Sequence, residues 1–292
     1  MRARAVLPAI LWVVAAAAAF AADFDGARAF ADLKALVRLG PRLPGSAASG
    51  QARGLIAERL RQAGWRSETR PVGAPEAGDR GAALVNVITR KARPGAKRVF
   101  LVTHYDTKLL LGGWGALVRT TAPPGSRRSS RSRGSSPTDS RTRSFGCSSV
   151  MDPPTHENLG SRALVRELER DGELKDLSAV VFVDMVADRE LRLTPGHPRG
   201  GELAGMAANI AHQQGQDAIF DLSREYFVPG DHRAFLERGI TSVLALVDFE
   251  FGGSSSPGAI WHTSRDDLSA VSEESLQLSG NLLLALTRKL GH

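Results

Sequence analysis

The sequence predicts an α/β protein, because patterns typical of amphipathic helices alternate with short apolar runs typical of buried strands. The chain has 292 residues, 42% of them hydrophobic, so it can bury a large core, and its length allows one or two domains. One predicted strand, Val99–Thr103, ends at a histidine. Ligands of open α/β sheets collect where strands run into loops, so the loop after this strand is the first place to look for chemistry.

The N-terminal half is predicted to contain two helices followed by two neighbouring strands. Asp25 is expected to cap the first helix, which ends at Gly40, and the second helix ends at Gly64. The strands Leu84–Ile88 and Val99–Thr103 follow.

After Pro154 the alternation of helix and strand returns. The strand Ala179–Val183 ends directly at Asp184, and Ser272 is expected to cap a closing helix. The other predicted elements are helices around residues 159–168 and 203–210, a short helix after Gly230-Asp231-His232, and a strand Ser242–Val247.

Residues 1–22 are predicted to be a secretory signal peptide. Arg2 and Arg4 precede an apolar run, Ala5–Phe20, which ends in a small-residue cleavage pattern before Ala22. The run is too short to favour a permanent membrane span, so we expect a mature domain of residues 23–292 in the periplasm or outside the cell, with no membrane contact. The single cysteine, Cys147, cannot form an internal disulfide, so stability must come from the core or from a metal.

The net charge of +7 does not indicate a nucleic-acid-binding protein. Residues 119–149 contain seven arginines and one acid and therefore carry +6 of this charge. The rest of the chain is nearly neutral, and the basic segment contains a single aromatic residue, Phe145, too few for a base-stacking surface. We therefore expect no nucleic-acid partner.

Residues 113–154 form an aberrant Arg/Ser-rich segment with almost no apolar periodicity. One interpretation is a disordered surface insertion. The interpretation we favour is a hypothesis: part of the segment is translated in the wrong reading frame. Codons can be chosen for Arg119–Gly125 that read Asn-Asp-Gly-Ala-Ser-Gly in a shifted frame, and the same shift at Arg143–Ser149 permits a buried strand.

Three residues stand on loops that follow predicted strands: His104, Asp184 and His262. Two imidazoles and a carboxylate are donors that a catalytic zinc takes, with open positions left for water. Ligands so far apart in sequence form no compact motif, so the alternative is three unrelated polar loop residues.

Several short segments together resemble a zinc-dependent exopeptidase family, the one that contains bacterial aminopeptidases and glutaminyl-peptide cyclotransferases. These segments, in the family's order, are Gly40-Pro41-Arg42 with Pro44-Gly45-Ser46, His104-Tyr105-Asp106-Thr107-Lys108, Asn158-Leu159-Gly160-Ser161-Arg162, Asp184-Met185-Val186, Asp231-His232 with Phe235, and Trp261-His262-Thr263 with Asp266. The resemblance covers about residues 24–290 and implies a single three-layer α/β/α domain around a mixed, mostly parallel sheet.

The resemblance implies roles for individual residues. In the two-zinc aminopeptidases, His104, Asp184 and His262 would be metal ligands, and Asp106 would orient His104. In the cyclotransferases one zinc is held, with His262 as a ligand. There Asp184 and Asp231 would form an acid network that moves the proton of the substrate amine. Asp231 also has a plain structural interpretation, as the N-cap of the short helix that follows it.

The Trp-His-Thr-x-x-Asp segment and the Gly-Pro-Arg loop favour the cyclotransferase. The implied reaction forms N-terminal pyroglutamate and releases ammonia from peptide substrates with a free N-terminus, with one or two Zn²⁺ ions as cofactor. Trp261 and Trp114 are expected to line the substrate pocket, and we expect a monomer. The alternative is a zinc aminopeptidase that removes N-terminal residues of peptides.

The sequence also departs from the family pattern. An Asn-Asp-Gly-Ala-Ser-like segment is expected soon after His104, and an Asp-Gly-Glu-Glu-like segment before Asn158, but neither occurs. Thr120-Thr121 stands where the first is needed, and no glutamate lies between Gly113 and His156. As written, the chain would lack two ligands and the general base, so an inactive member of the family is a further alternative.

Overall fold

The computed structural model describes residues 24–72, 84–91, 97–107, 142–147, 158–197, 201–224 and 226–291, with only the backbone described for 91 and 142–147. The predicted signal peptide and Trp114 lie outside these ranges and stay predictions. Within these ranges no helix has the length and hydropathy that a membrane span requires.

The described strands form a sheet in the order β1-β2-β4-β3-β5-β6. Their bounds are β1 Ser67–Pro71, β2 Val85–Lys91, β3 Arg98–Thr103, β4 Thr142–Cys147, β5 Leu177–Asp184 and β6 Val243–Val247. β3 is parallel to β4 and β5, and β5 is parallel to β6, whereas β2 is antiparallel to β1 and β4. The predicted mixed, mostly parallel sheet is confirmed.

The position of β4 corrects one expectation from the sequence. β2 and β3 were expected to be neighbours, but β4 lies between them and pairs with both. β4 belongs to the Arg/Ser-rich segment, where the apolar alternation that would announce a strand is missing. Its backbone register places Arg143 opposite Lys91.

The helices pack in two groups around this sheet. Their bounds are α1 Gly26–Val37, α2 Ala47–Gln62, α3 Leu159–Arg170, α4 Gly201–Gln213, α5 Arg233–Leu236 and α6 Glu273–Gly291, with 3₁₀ turns at Leu174–Asp176 and Leu268–Ala270. α1 and α4 both contact α6, whereas α3 contacts α5. The predicted α/β class and its layering are confirmed.

Two predicted helix caps are present. The Asp25 side chain accepts a hydrogen bond of 3.0 Å from the Arg28 N–H at the start of α1. Ser272 does the same for Ser275 at the start of α6, at 3.1 Å. These bonds satisfy N–H groups that a helix leaves without intrahelical partners, so the local sequence fixes where both helices begin.

The core fixes the ends of the inner strands. All five residues of β6 are buried, and Phe100 of β3 packs against Phe235 of α5 with ring centroids 6.2 Å apart. Because β3, β5 and β6 are parallel, their carboxyl ends meet at one edge of the sheet. Residues that follow these strands are therefore brought together there.

Candidate active site

Two predicted site residues meet at the carboxyl edge of the sheet. His104 directly follows β3, and Asp184 is the last residue of β5. The Nε2 atom of His104 lies 3.5 Å from Oδ2 of Asp184, and the two residues are only 3% and 6% exposed. The strand geometry therefore places an imidazole nitrogen beside a carboxylate in a buried position.

The other ring nitrogen of His104 faces Asp106. Nδ1 lies 3.2 Å from the carboxylate oxygen Oδ1 and 3.3 Å from the backbone oxygen of Asp106. The backbone oxygen is the hydrogen-bond partner of Nδ1, whereas Oδ1 of Asp106 makes no hydrogen bond with any described residue despite its proximity. The orienting role of the Asp106 carboxylate therefore stays a prediction.

The His104–Asp184 pair fits a zinc ion. Two ligand atoms at ordinary Zn–N and Zn–O distances in a tetrahedral site lie about 3.4 Å apart. The observed separation of 3.5 Å is close to this value and is long for a hydrogen bond. Neutral imidazole nitrogen and carboxylate oxygen are also the donor types that zinc accepts.

His262 lies against Trp261 in the loop after β6. Their rings stack with centroids 3.6 Å apart and planes 22° apart, and Trp261 also meets Phe249 edge-on at 5.7 Å. Among the described residues, no group of three or more His, Cys, Asp or Glu side chains is placed to hold a metal ion. His104, Asp184 and His262 therefore do not form a complete three-ligand cluster there, and the three-ligand set stays a prediction.

Asp231 does not act as the N-cap of α5, so that alternative is wrong. The N-cap residue is His232, and its side chain makes no capping hydrogen bond. Asp231 is instead 1% exposed, in a loop whose neighbours Gly230 and His232 both lie against Phe182 of β5. The predicted acid network of Asp231 and Asp184 stays a prediction.

Left-handed backbone marks the same segments. The non-glycine residues with positive φ in the described chain are Asn158, Met185 and His262, at 62°, 51° and 57°. Each belongs to a segment of the family resemblance, and two are next to or identical with predicted site residues. Such conformations cost roughly 1–3 kcal/mol each and cluster at functional sites. They therefore support, independently of side-chain type, a functional site at these segments.

Sequence reasoning missed a second set of buried acids, Asp188, Asp248 and Glu250, beside the same edge. Asp248 accepts hydrogen bonds from the backbone N–H groups of Arg192 and Glu250, and Glu250 accepts from Tyr226 and Arg224. Burial, followed by the nearby carboxylates, raises the pKa of Asp248 to about 8. The signal was available, because Asp248 follows a predicted strand just as His104 does.

This acid set fixes the loop that carries Trp261 and His262. Asp188 Oδ2 accepts a 2.6 Å hydrogen bond from the Gly252 N–H, and the Phe249 carbonyl accepts one from Gly258 at 2.9 Å. The hydrogen bond from Gly252 to Asp188 therefore attaches the loop of Trp261 and His262 to the segment that follows Asp184.

Comparison with known proteins agrees with this arrangement. Residues 157–287 match the model of peptidase family M28, which confirms the predicted family resemblance. A search of curated proteins found no match.

Solved structures share the fold along most of the chain. The glutaminyl cyclase of an Acidobacteriales bacterium is 21% identical, with a TM-score of 0.72 and coverage of 92% of this chain and 95% of that one. The Porphyromonas gingivalis glutaminyl cyclase is 17% identical, with a TM-score of 0.75 and coverage of 92% and 100%. A Zn-dependent exopeptidase from Parabacteroides distasonis is 15% identical, with a TM-score of 0.72 and coverage of 90% and 97%. At these identities the likeness establishes the fold, and the family match supports an enzyme of this family.

Proposed function

We propose that the chain is a zinc-dependent glutaminyl-peptide cyclotransferase, which converts N-terminal glutamine of peptides to pyroglutamate and releases ammonia. The observation that carries this proposal is the stack of Trp261 on His262, with ring centroids 3.6 Å apart. It places a flat apolar wall directly beside a candidate ligand, which suits a pocket for a short side chain. The glutaminyl cyclases among the solved structures that share this fold support the same choice.

In this reaction the substrate's own α-amine attacks the γ-amide carbon, the carbon–nitrogen bond of that amide breaks, and ammonia leaves. A bound zinc ion would supply polarisation of the carbonyl, and His262 would hold it in its predicted role. Asp184 and Asp231 accept the proton that the amine loses and return it to the departing nitrogen. Both carboxyl groups are buried, so water competes poorly for this transfer.

A zinc aminopeptidase is the second candidate, and one distance favours it. The separation of 3.5 Å between His104 Nε2 and Asp184 Oδ2 suits two ligands of one ion. In the cyclase assignment, Asp184 moves a proton instead. Asp184 is therefore a zinc ligand in the aminopeptidase and a proton carrier in the cyclase.

A paired assay separates the two candidates. The protein is incubated with a Gln-initiated peptide and, separately, with a leucine anilide, with zinc present. Formation of pyroglutamate and ammonia without anilide cleavage supports the cyclase. Exclusive cleavage of the anilide overturns it in favour of the aminopeptidase, and mutation of the glutamine to asparagine serves as the substrate control.

Both candidate activities depend on whether the Arg/Ser-rich segment, residues 113–154, is translated in the correct reading frame. An inner strand of a mostly parallel sheet is normally apolar on both faces, but β4 reads Thr-Arg-Ser-Phe-Gly-Cys. This mismatch supports the frame-shift hypothesis for part of residues 113–154. Sequencing the gene tests it, because an intact frame that encodes Asn-Asp-Gly-Ala-Ser-Gly after residue 118 would establish the error.

The same hypothesis has a biochemical test. The chain as written and a version in which Arg119–Gly125 is replaced by Asn-Asp-Gly-Ala-Ser-Gly are compared for zinc affinity. We expect tighter binding by the replaced version, because one carboxylate ligand is restored. Equal and negligible affinity of both versions would favour an inactive member of the family.

A further inference from the structure

The loop that carries His104 and Asp106 is held by a buried arginine from a distant part of the chain. Arg42 lies between α1 and α2, and it is only 2% exposed. Its Nε donates a hydrogen bond of 2.8 Å to the backbone oxygen of Tyr105, the residue between His104 and Asp106.

The backbone of Arg42 holds the far end of the same loop. Its N–H donates to the hydroxyl oxygen of Thr107 at 2.8 Å, and its carbonyl accepts from the N–H of Thr107 at 3.3 Å. The loop after β3 is thus bonded to one residue at two places, across a sequence separation of more than 60 residues.

The guanidinium also joins this loop to the end of α1. Nη1 donates to the carbonyl of Leu36 at 3.2 Å and to that of Gly40 at 3.3 Å. Burying a guanidinium is costly unless its donors are satisfied, and its planar fork holds acceptors in fixed directions. A lysine has one rotating ammonium and cannot reach the same carbonyls in the same geometry.

We propose that Arg42 is a positioning residue that fixes the His104–Thr107 loop so that Nε2 of His104 faces Asp184. The inference rests on the second candidate function, the zinc aminopeptidase, in which His104 is a ligand, and it names the residue that sets the direction of that ligand. Arg42 acts through the Tyr105 carbonyl and Thr107. Loss of its side chain leaves β3 in place but lets the histidine ring depart from the position 3.5 Å from Asp184.

The chain offers a matched control. Arg59 of α2 also links α1 and α2, through a 2.6 Å ion pair with Asp32. No hydrogen bond or ion pair identified for Arg59 reaches residues 104–107. Removing Arg59 therefore tests general loosening of these helices without release of the loop.

The experiment compares the full-length wild type with Arg42→Met, the milder Arg42→Lys, Thr107→Val and the control Arg59→Met. Amide hydrogen exchange of residues 104–107 is measured without metal, and zinc affinity is measured by competition with a chromophoric chelator. Exchange is expected to rise about tenfold in both Arg42 variants and less in Thr107→Val. Zinc affinity is expected to fall about 10–100-fold in the Arg42 variants, as it does when outer contacts of a ligand are lost.

The outcomes are separable. Unchanged exchange of residues 104–107 in folded Arg42→Lys overturns the proposal, and so does faster exchange with unaltered zinc affinity. Equal effects of Arg59→Met reduce Arg42 to a helix-packing residue and also overturn it. Partial recovery of zinc affinity in Arg42→Met on addition of guanidinium supports it. A wild type that binds no zinc overturns the proposed function, and the exchange data then decide whether Arg42 holds the loop.

Discussion

The imidazole of His104 lies between two carboxylates, those of Asp106 and Asp184. Nδ1 is 3.2 Å from Oδ1 of Asp106, and Nε2 is 3.5 Å from Oδ2 of Asp184. Asp106 is next but one to His104 in the sequence, so the loop itself supplies the hydrogen-bond partner of Nδ1, which is the backbone oxygen of Asp106. The chemistry of the site depends on this local contact as much as on the strand that carries the histidine.

Asp106→Asn is expected to weaken zinc binding about 10–100-fold, because an amide holds the Nδ1 proton less firmly and lowers the basicity of Nε2. The measurement is chelator competition on purified protein. Asp32→Asn is the control, since Asp32 is equally buried at 6% but pairs with Arg59 away from the site. Equal loss of zinc affinity in the two variants would contradict the orienting role.

Asp231→Asn is expected to lower kcat about 10²–10⁴-fold with a much smaller change in KM, because the variant keeps the shape of the side chain but cannot carry a proton. The assay follows ammonia release from a Gln-initiated peptide. Asp217→Asn is the control, because Asp217 is an exposed partner of His212. A kcat within twofold of the wild type would remove Asp231 from the acid network.

Most of the fold was predictable because local signals and global topology agree. Asp25 and Ser272 mark the starts of helices, because their side chains accept hydrogen bonds from the first turn of the helix that follows each of them. Val99–Thr103 and Ala179–Val183 are apolar enough to be inner strands, and parallel pairing then brings His104 and Asp184 together. A strand exit followed by a polar residue was therefore sufficient to find both.

Other features of the fold and the site were not predictable, because they depend on residues distant in sequence. Thr142–Cys147 has no apolar alternation, so its place between β2 and β3 comes from pairing alone. Arg42 was visible as part of a Gly-Pro-Arg loop, but its contact with Tyr105 spans 63 residues. Asp248 could have been found by the strand-exit rule, whereas its raised pKa depends on burial that only the tertiary structure reveals.

Trp261→Ala is expected to raise KM for a Gln-initiated peptide by about tenfold, since the side chain that walls the proposed pocket is lost together with its stack on His262. Trp261→Phe is expected to retain most of the affinity because a flat ring remains. Steady-state kinetics with both variants provides the test. If the alanine variant keeps the wild-type KM, the wall assigned to Trp261 is wrong.

Asp248→Asn is expected to change how stability depends on pH. The pKa of Asp248 is raised from 3.8 to about 8 in the fold, so between these values the unfolded chain has lost a proton that the folded chain keeps. The free energy of unfolding of the wild type therefore falls as pH rises from about 4 to 8 and then levels. The variant lacks this contribution, so its midpoint temperature should change less between pH 5 and pH 8.

The control for the Asp248 prediction is Asp267, whose pKa is shifted in the opposite direction. Hydrogen bonds from Ser269 lower the pKa of Asp267, so its contribution to stability is lost as pH falls. Asp267→Asn should leave the decline between pH 5 and pH 8 intact. A pH profile of Asp248→Asn that runs parallel to the wild type would show that Asp248 is ionised in the fold at neutral pH.

The free energy of unfolding of His232→Phe is expected to fall less in acid than that of the wild type. The side chain of His232 stacks on Phe182 with centroids 5.4 Å apart, and burial, then His197 and Arg233, lower its pKa from 6.5 to about 4. As pH falls through this range the unfolded chain gains a proton first, so the free energy of unfolding falls by at most about 1.4 kcal/mol per pH unit. Phenylalanine keeps a ring against Phe182 but has no proton to bind.

Chemical unfolding of the His232 variant at pH 4.5 and pH 6.5 measures this contribution directly. The difference in unfolding free energy between the two pH values should be smaller for His232→Phe than for the wild type. The exposed His212, 77% accessible at its side chain, provides the matched control, and His212→Gln should retain the wild-type difference because this side chain contacts solvent in the folded protein. If His232→Phe shows the full wild-type difference, the acid sensitivity originates elsewhere, and His232 is charged or solvated in the folded protein despite its burial.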